Sequence, residues 1–402
     1  MNDLFRLPTS PPERNGRFVR ARVVLLMTGL ALLTGLGATT FRQDYESFLQ
    51  QLRVRISQTQ SSDDYRQLMN WKDTRITHLL QLAPPPAERD AAEWYAMGHL
   101  MQLRGALPEA IRHMQESLRR DPANPTVVKG LLGCFLQADQ PRAAGRLWQE
   151  HRGKFPPAES GTMGLAVAQS FFDRADYLAA VDYLELVRPL FPEAHLGHRL
   201  TVMICQNFVL AGEKEKALAY LTARELDSSA DPEGLPQLRR QIQLVNTTAP
   251  PLVVEHWLAD SGSLPRPGAG RVILVDFWAP SCSDCLESMA EISRLYEAYE
   301  DAGVDMVSLT ILPDTSSVVQ GGPGSPEPVE FLSRIHALRQ TRGWSWRFGV
   351  AASGINHERF AVTTIPHLVL MDKHGRIRYA DYGKRLDFSR LQAVIDHLLA
   401  ED

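Results

Sequence analysis

Residues 271–285 read RVILVDFWAPSCSDC. The first eight positions form an apolar run rich in β-branched residues, which predicts a buried strand. Ala279 and Pro280 break that run. From Ser281 to Asp301 a helix is predicted, with apolar positions at Met289, Ile292, Leu295 and Tyr296. Cys282 and Cys285 therefore fall at a helix N-terminus that directly follows a buried strand. There the first thiol meets unsatisfied backbone N–H groups and the positive end of the helix dipole, both of which stabilise a thiolate. The second thiol lies one helical turn further in, shielded and placed to attack a mixed disulfide formed on the first. A C-x-x-C pair is also half of a zinc site. That alternative needs two more ligands at similar spacing, and the other two cysteines, Cys134 and Cys205, are isolated. Redox chemistry is the leading reading, with metal binding and an inert pair as the alternatives.

Downstream, residues 304–312 (VDMVSLTIL) predict a second strand, and residues 313–328 a Gly/Pro/Ser-rich surface loop. Residues 328–340 predict a helix, 347–350 a short extended piece, and 367–372 (HLVLMD) a strand. A turn at 373–375 leads to a return strand at 377–381, and 388–399 close the chain with a helix. The order β-α-β-α-β-β-α predicts a mixed sheet with helices on both faces. Trp344, Trp346 and Phe348 (GWSWRF) read as its core.

Upstream, residues 246–251 (NTTAPP) read as a linker. Before it the pattern is amphipathic helix without strand-like alternation. Ala110, Ala144, Ala180 and Ala217 recur at intervals of 34, 36 and 37 residues, and Pro122, Pro156 and Pro192 at 34 and 36. Around them lie Trp94, Met97 and Gly98; then Leu131, Phe135 and Trp148; then Phe171, Ala175 and Leu184; then Cys205, Phe208, Gly212 and Leu221. Small residues let two helices approach closely, large ones fill the space between pairs, and a proline ends each second helix. Residues 91–245 resemble a tetratricopeptide-repeat array, although the third and fourth copies lack the Trp and Gly of the first helix. Such a resemblance implies a surface for a protein partner. Residues 42–90 are expected to be a helical stalk or an irregular repeat.

At the N-terminus, residues 1–22 carry Arg6, Arg14, Arg17, Arg20 and Arg22 against Asp3 and Glu13. Residues 23–41 then run without a charge for 19 positions. As a helix that is about 28 Å, close to the hydrocarbon thickness of a bilayer. A transmembrane signal anchor is expected at 23–41, with 1–22 as a cytoplasmic basic segment by the positive-inside rule; a cleaved signal peptide is the rival. The expected location is a single-pass protein of the bacterial inner membrane, its remaining domains periplasmic. The chain has 402 residues with 43 basic against 47 acidic side chains, and this balance gives no electrostatic footprint for nucleic acid. Four cysteines in this length exclude a disulfide scaffold.

VDFWAPSCSDC (275–285) looks like the active-site segment of the thioredoxin family, and TTIPHLVLMDKHGRI (363–377) like that family's cis-proline strand, turn and return strand. With a long extension before the first catalytic strand, the chain is most similar to the TlpA-type thiol–disulfide oxidoreductases. The resemblance implies a thioredoxin-like α/β fold over residues 252–402, following the all-α array. It implies Cys282 as the attacking and Cys285 as the resolving cysteine, with the Cys282–Cys285 disulfide as the redox group and no further cofactor or metal. Pro366 matches the cis-proline beside the disulfide, which leaves the preceding backbone free to pair with substrate. Asp276 matches a buried acid, a proton acceptor for Cys285, because a carboxyl in an apolar strand has a raised pKa.

Trp278, Ser281, Ile365 and His367 would line the substrate groove, and Ser283 and Asp284 would tune the potential. The departures are Ser281, where a tryptophan is usual; the uncommon pair Ser283–Asp284; Ser288, where an acid is frequent; and His367, where a small hydroxyl residue is usual. The expected function is an anchored reductant of client protein disulfides, recharged by a membrane or periplasmic reductant, with the repeats binding a partner protein. The alternative is a repeat scaffold whose thioredoxin-like domain serves in binding.

Overall fold

The computed structural model describes residues 40–191, 194–225, 235–258, 266–312, 328–351, 353–383 and 386–401. The basic segment 1–22, all but the last two residues of the expected span 23–41, Pro192 and the loop 313–327 lie outside the described residues. The chain divides into two compact units. One runs to Phe171 and takes in Asp182–Phe191, and the other comprises Phe172–Val181 and Pro192–Asp402.

The first unit is built from paired helices: α1 (Thr40–Gln58) and α2 (Ser62–Leu82), α3 (Ala91–Arg104) and α4 (Leu107–Arg120), α5 (Pro125–Gln137) and α6 (Pro141–His151). Two further helices, α7 (Pro157–Asp173) and α8 (Tyr177–Val187), follow, with Phe172–Val181 counted in the second unit. Their ends are written in the sequence. Ser61 and Asp90 start α2 and α3 with reciprocal capping boxes to Asp64 and Glu93, and Asn124 caps α5. Pro108, Pro125 and Pro141 stand in the first turns of α4, α5 and α6, where the missing N–H costs nothing. Ala110, Ala144 and Trp148 are fully buried. A Cβ on Gly98 would stand 2.6 Å from Met114 Cγ and 3.1 Å from Ala110 O, so α3 and α4 approach as closely as a glycine allows.

The expected membrane-anchored topology is corrected here. Among the described residues no helix is long and apolar enough to cross a membrane. Thr40 and Phe41, the end of the expected span, open α1 instead. Phe41 is buried with Tyr45, Phe48, Leu52, Ile76, Leu79 and Leu100, against protein and not lipid. In the same core α1 and α2 pack on each other and on α3.

The second unit begins with α9 (Ala194–Leu210), α10 (Lys214–Glu225) and α11 (Leu235–Leu244). The sheet follows: β1 (His256–Leu258), β2 (Val272–Phe277), α12 (Ser283–Tyr299), β3 (Val304–Ile311), α13 (Pro328–Arg342), β4 (Arg347–Ala351), α14 (Ile355–Arg359), β5 (His367–Met371), β6 (Ile377–Tyr382) and α15 (Phe388–Ala400). The strand order is β1-β4-β3-β2-β5-β6. Strands β2, β3 and β4 are parallel, and β1, β5 and β6 each run antiparallel to their neighbours. The sequence pattern does not anticipate β1 and α14. Both are short, three and five residues, and lie below the length at which periodicity is legible.

All six residues of β2 are buried, as expected of a strand covered on both faces. Ile273, Val275 and Phe277 share one core with Val307, Leu309, Val369 and Met371 of the sheet. That core extends to Cys205 and Val209 of α9, Ala217 and Leu221 of α10, and Leu235, Leu238 and Ile242 of α11. The last helical pair and α11 are thus a covering layer of the sheet. Residues 246–249, expected as a linker, pair with the β5–β6 hairpin: Asn246 N donates to Ile377 O (2.8 Å), Ile377 N to Thr247 O (3.1 Å) and Ala249 N to Gly375 O (2.9 Å).

Candidate active site

Cys282 is the N-cap of α12, with extended backbone, and its sulfur accepts from Cys285 N at 3.1 Å. A sulfur in this position takes up one of the N–H groups that the first helical turn leaves without a partner. The two cysteines form a disulfide with Cα atoms 5.2 Å apart. They differ in access. Cys282 is partly exposed, whereas Cys285 is 0 % exposed. Only the first sulfur can be reached from outside. Ser281 and Ser283 are exposed beside it, and Asp284 is partly exposed in the first turn of α12.

Asp276 occupies the penultimate position of β2 and is 2 % exposed. Burial pushes its carboxyl up to about 7, against a smaller opposing pull from the Ser308 hydroxyl. Ser308 Oγ donates to Asp276 Oδ2 at 2.8 Å and accepts from Trp346 Nε1 at 2.9 Å. The second carboxylate oxygen, Oδ1, is buried without a protein partner. Trp346 in turn packs against Tyr296 of α12, with ring centroids 5.8 Å apart, so Asp276 lies on the face of the sheet that α12 covers.

Ser308 and Trp346 are the residues that sequence reasoning missed. Ser308 is a fully buried hydroxyl in β3, and β3 pairs with β2 in a register that sets it opposite Asp276. The hydroxyl was the available signal; the register was not. Trp346 is core, as its neighbours are, but it carries a polar role besides.

The expected groove residues separate into three groups. Trp278 is 1 % exposed, edge-on to Trp344 and Phe348, and is buried without lining a surface. Ile365 is partly exposed and is joined to buried Pro366 by a cis peptide bond. His367 does not line a groove, which corrects that expectation. It is 0 % exposed and pairs with Phe277, whose side chain faces the α9–α11 layer and not α12. Its ring stacks on Tyr382 and meets Phe277 edge-on. Burial, aided by His357, pushes its pKa down to about 3, so the ring is neutral.

Among the described residues, no cluster of three or more His, Cys, Asp or Glu side chains is placed to hold a metal ion. Cys134 and Cys205 are buried and form no disulfide; burial pushes Cys134 up to about 12.

Residues 263–395 match the Redoxin family model. A stretch of 66 residues is 35 % identical to Protein DipZ of Mycobacterium bovis and of Mycobacterium tuberculosis, spanning 15 % of this chain. The chain spans only about a tenth of the length of these relatives (10 %). Among solved structures, a thiol-disulfide isomerase from Corynebacterium glutamicum is 19 % identical with a TM-score of 0.32, covering 39 % of this chain and 99 % of that one. A thiol:disulfide interchange protein DsbE from Chlorobium tepidum is 19 % identical with a TM-score of 0.27, covering 33 % and 83 %. The family match, the mixed sheet and the cysteine pair at the start of α12 together make the C-terminal domain thioredoxin-like, with the redox pair of a thiol–disulfide oxidoreductase.

Proposed function

We propose that the protein reduces disulfides of client proteins through Cys282 and Cys285, and that its helical pairs form a tetratricopeptide-like arm for a protein partner. The observation that carries the catalytic reading is the asymmetry of the disulfide, with one sulfur reachable at a helix N-cap and the other fully buried.

In the reduced protein, Cys282 attacks as a thiolate held by the N–H groups of the first turn. One client sulfur bonds to Cys282, the client S–S bond breaks, and the second client sulfur leaves as a thiolate. Cys285 then gives up its proton and attacks Cys282 Sγ. The Cys282–Cys285 bond forms, and the first client sulfur departs as a thiolate. Two electrons have passed to the client, and a separate dithiol donor must return them. Asp276 is suited to accept the Cys285 proton, because an acid near 7 is neither wholly ionised nor wholly protonated at neutral pH.

The arm is supported by a repeated device. In the four pairs from α3/α4 to α9/α10, a residue at the turn inside the pair has positive φ: Gly105 (83°), Asp139 (56°), Ala175 (57°) and Gly212 (79°). Their spacings of 34, 36 and 37 residues are those of Ala110, Ala144, Ala180 and Ala217. The reading is tested by insulin reduction with a dithiol donor. The wild-type chain should accelerate it, and Cys282→Ser should abolish the acceleration; equal rates with and without the protein would reject it.

A further inference from the structure

Strand β5 runs antiparallel to β2 with His367 opposite Phe277. The loop before His367 therefore lies at the C-terminal end of β2, the end that leads through Trp278 to Cys282. Thr363 and Thr364 are exposed on this loop, Ile365 partly so. Its two ends are held from a helix outside the matched family region. Thr363 Oγ1 donates to Gln237 Oε1. The Gln241 side-chain amide lies 3.4 Å from His367 Nε2 and donates to it when the ring carries its proton on Nδ1.

Gln237 and Gln241 are one turn apart on α11, and they are only 7 % and 5 % exposed. A buried amide left unpaired is costly, so such bonds tie their partners firmly. The adjacent residues Leu238 and Ile242 lie in one core with Phe360 and Val362, and Ile365 packs against that core. Lys214 Nζ, at the start of α10, donates to Gln243 O (2.6 Å) and Val245 O (3.1 Å), which joins the C-terminal end of α11 to the last helical pair.

Resting on the oxidoreductase reading above, we infer that Gln237 and Gln241 are positioning residues that fix the Thr363–His367 loop, and with it the alignment of an extended client chain on Cys282. A protein client must lie along this loop before its disulfide meets Cys282 Sγ, and a small shift of the loop misaligns the sulfurs. A small disulfide needs only to reach the sulfur. The clamp therefore selects protein disulfides over small ones, and it is supplied by the helical part of the chain.

The test uses the full chain carrying Thr363→Val, Thr363→Ser or Gln241→Leu, reduced beforehand. Rates are measured with insulin and with hydroxyethyl disulfide. Thr363→Val and Gln241→Leu should each slow insulin by about three- to tenfold, the worth of one hydrogen bond, and leave hydroxyethyl disulfide within about twofold. Thr363→Ser, which keeps the hydroxyl, should restore the insulin rate. Equal slowing with both substrates, or no change with insulin, would overturn the clamp. Amide hydrogen exchange over residues 361–368 of the oxidised chain gives a readout that needs no activity: Thr363→Val and Gln241→Leu should speed it there and not in α12. If the wild type reduces neither substrate, the oxidoreductase reading fails, and the exchange result alone then decides: faster exchange in the loop sustains the clamp, and unchanged exchange overturns it.

Discussion

At the residue scale the informative group is Asp276. Its carboxyl stands at about 7 in the folded protein, against 3.8 for an ordinary Asp. Between those values the folded state holds a proton that the unfolded state has lost, so this residue's contribution to stability falls as pH rises from about 4 to 7. Asp276→Asn removes that loss and still offers Ser308 an acceptor. The variant should match the wild type near pH 4 and exceed it above pH 7, by up to about 4 kcal/mol. His367 has the opposite slope, because its depressed pKa costs stability as pH falls below about 6.5, but it is common to both proteins and cancels. Urea midpoints at pH 4.5 and 8 check this, and a difference that does not change with pH would contradict it. Kinetically, Asp276→Asn should slow release of the mixed disulfide more than its formation, since only release needs Cys285 deprotonated.

Asp284, in the first turn of α12, tests the poise at the same scale. A carboxylate there opposes the Cys282 thiolate by roughly 1 kcal/mol, about 20 mV for a two-electron couple. A glutathione-buffered titration should find a potential nearer that of thioredoxin, about −270 mV, than of the strong oxidants near −120 mV. Asp284→His should raise it by some tens of millivolts, and a shift to more negative values would assign the poise to another group.

At the element scale, the left-handed turn residues of the helical pairs invite a direct test. Gly105 and Gly212 adopt positive φ without a Cβ, whereas Ala175 does so with one, at a cost of about 1 kcal/mol. Ala175→Gly should stabilise the chain by a few tenths to about 1 kcal/mol, the gain being reduced by the freedom glycine adds to the unfolded chain. Gly98→Val should do the reverse, by about 1–3 kcal/mol, because its Cβ has Met114 and the Ala110 carbonyl within 3.1 Å. Thermal melts of the two variants check both signs.

The helical pairs were legible because caps, prolines and buried alanines are local signals repeated in register. The strand-to-helix junction around Cys282 was legible for the same reason. The side chains around Asp276 and His367 were not, because they arrive from β3, from the residue before β4 and from α11, and strand register and helix docking are set by long-range packing that no local pattern records.

At the scale of the whole molecule, the boundary is where sequence and structure part. A turn-rich stretch at 246–251 reads as a linker, yet its backbone pairs with the β5–β6 hairpin, and the helices before it share the sheet's core. An apolar helical face looks the same in sequence whether it meets another helix or a sheet. A fragment of residues 252–402 should therefore expose the face of Val307, Leu309, Val369 and Met371, bind a hydrophobic dye and melt well below a fragment of 192–402. Equal stability of the two would contradict the shared core.

In the proposed reaction Cys282 attacks a client disulfide and Cys285 resolves the product. Mass spectrometry of the reduced Cys285→Ser and Cys282→Ser chains, each mixed with a disulfide-bonded peptide, separates these two roles. Cys285→Ser should accumulate a stable mixed disulfide on Cys282 and Cys282→Ser none; an adduct on Cys285 in the Cys282→Ser chain, or none in either, would refute this division of roles.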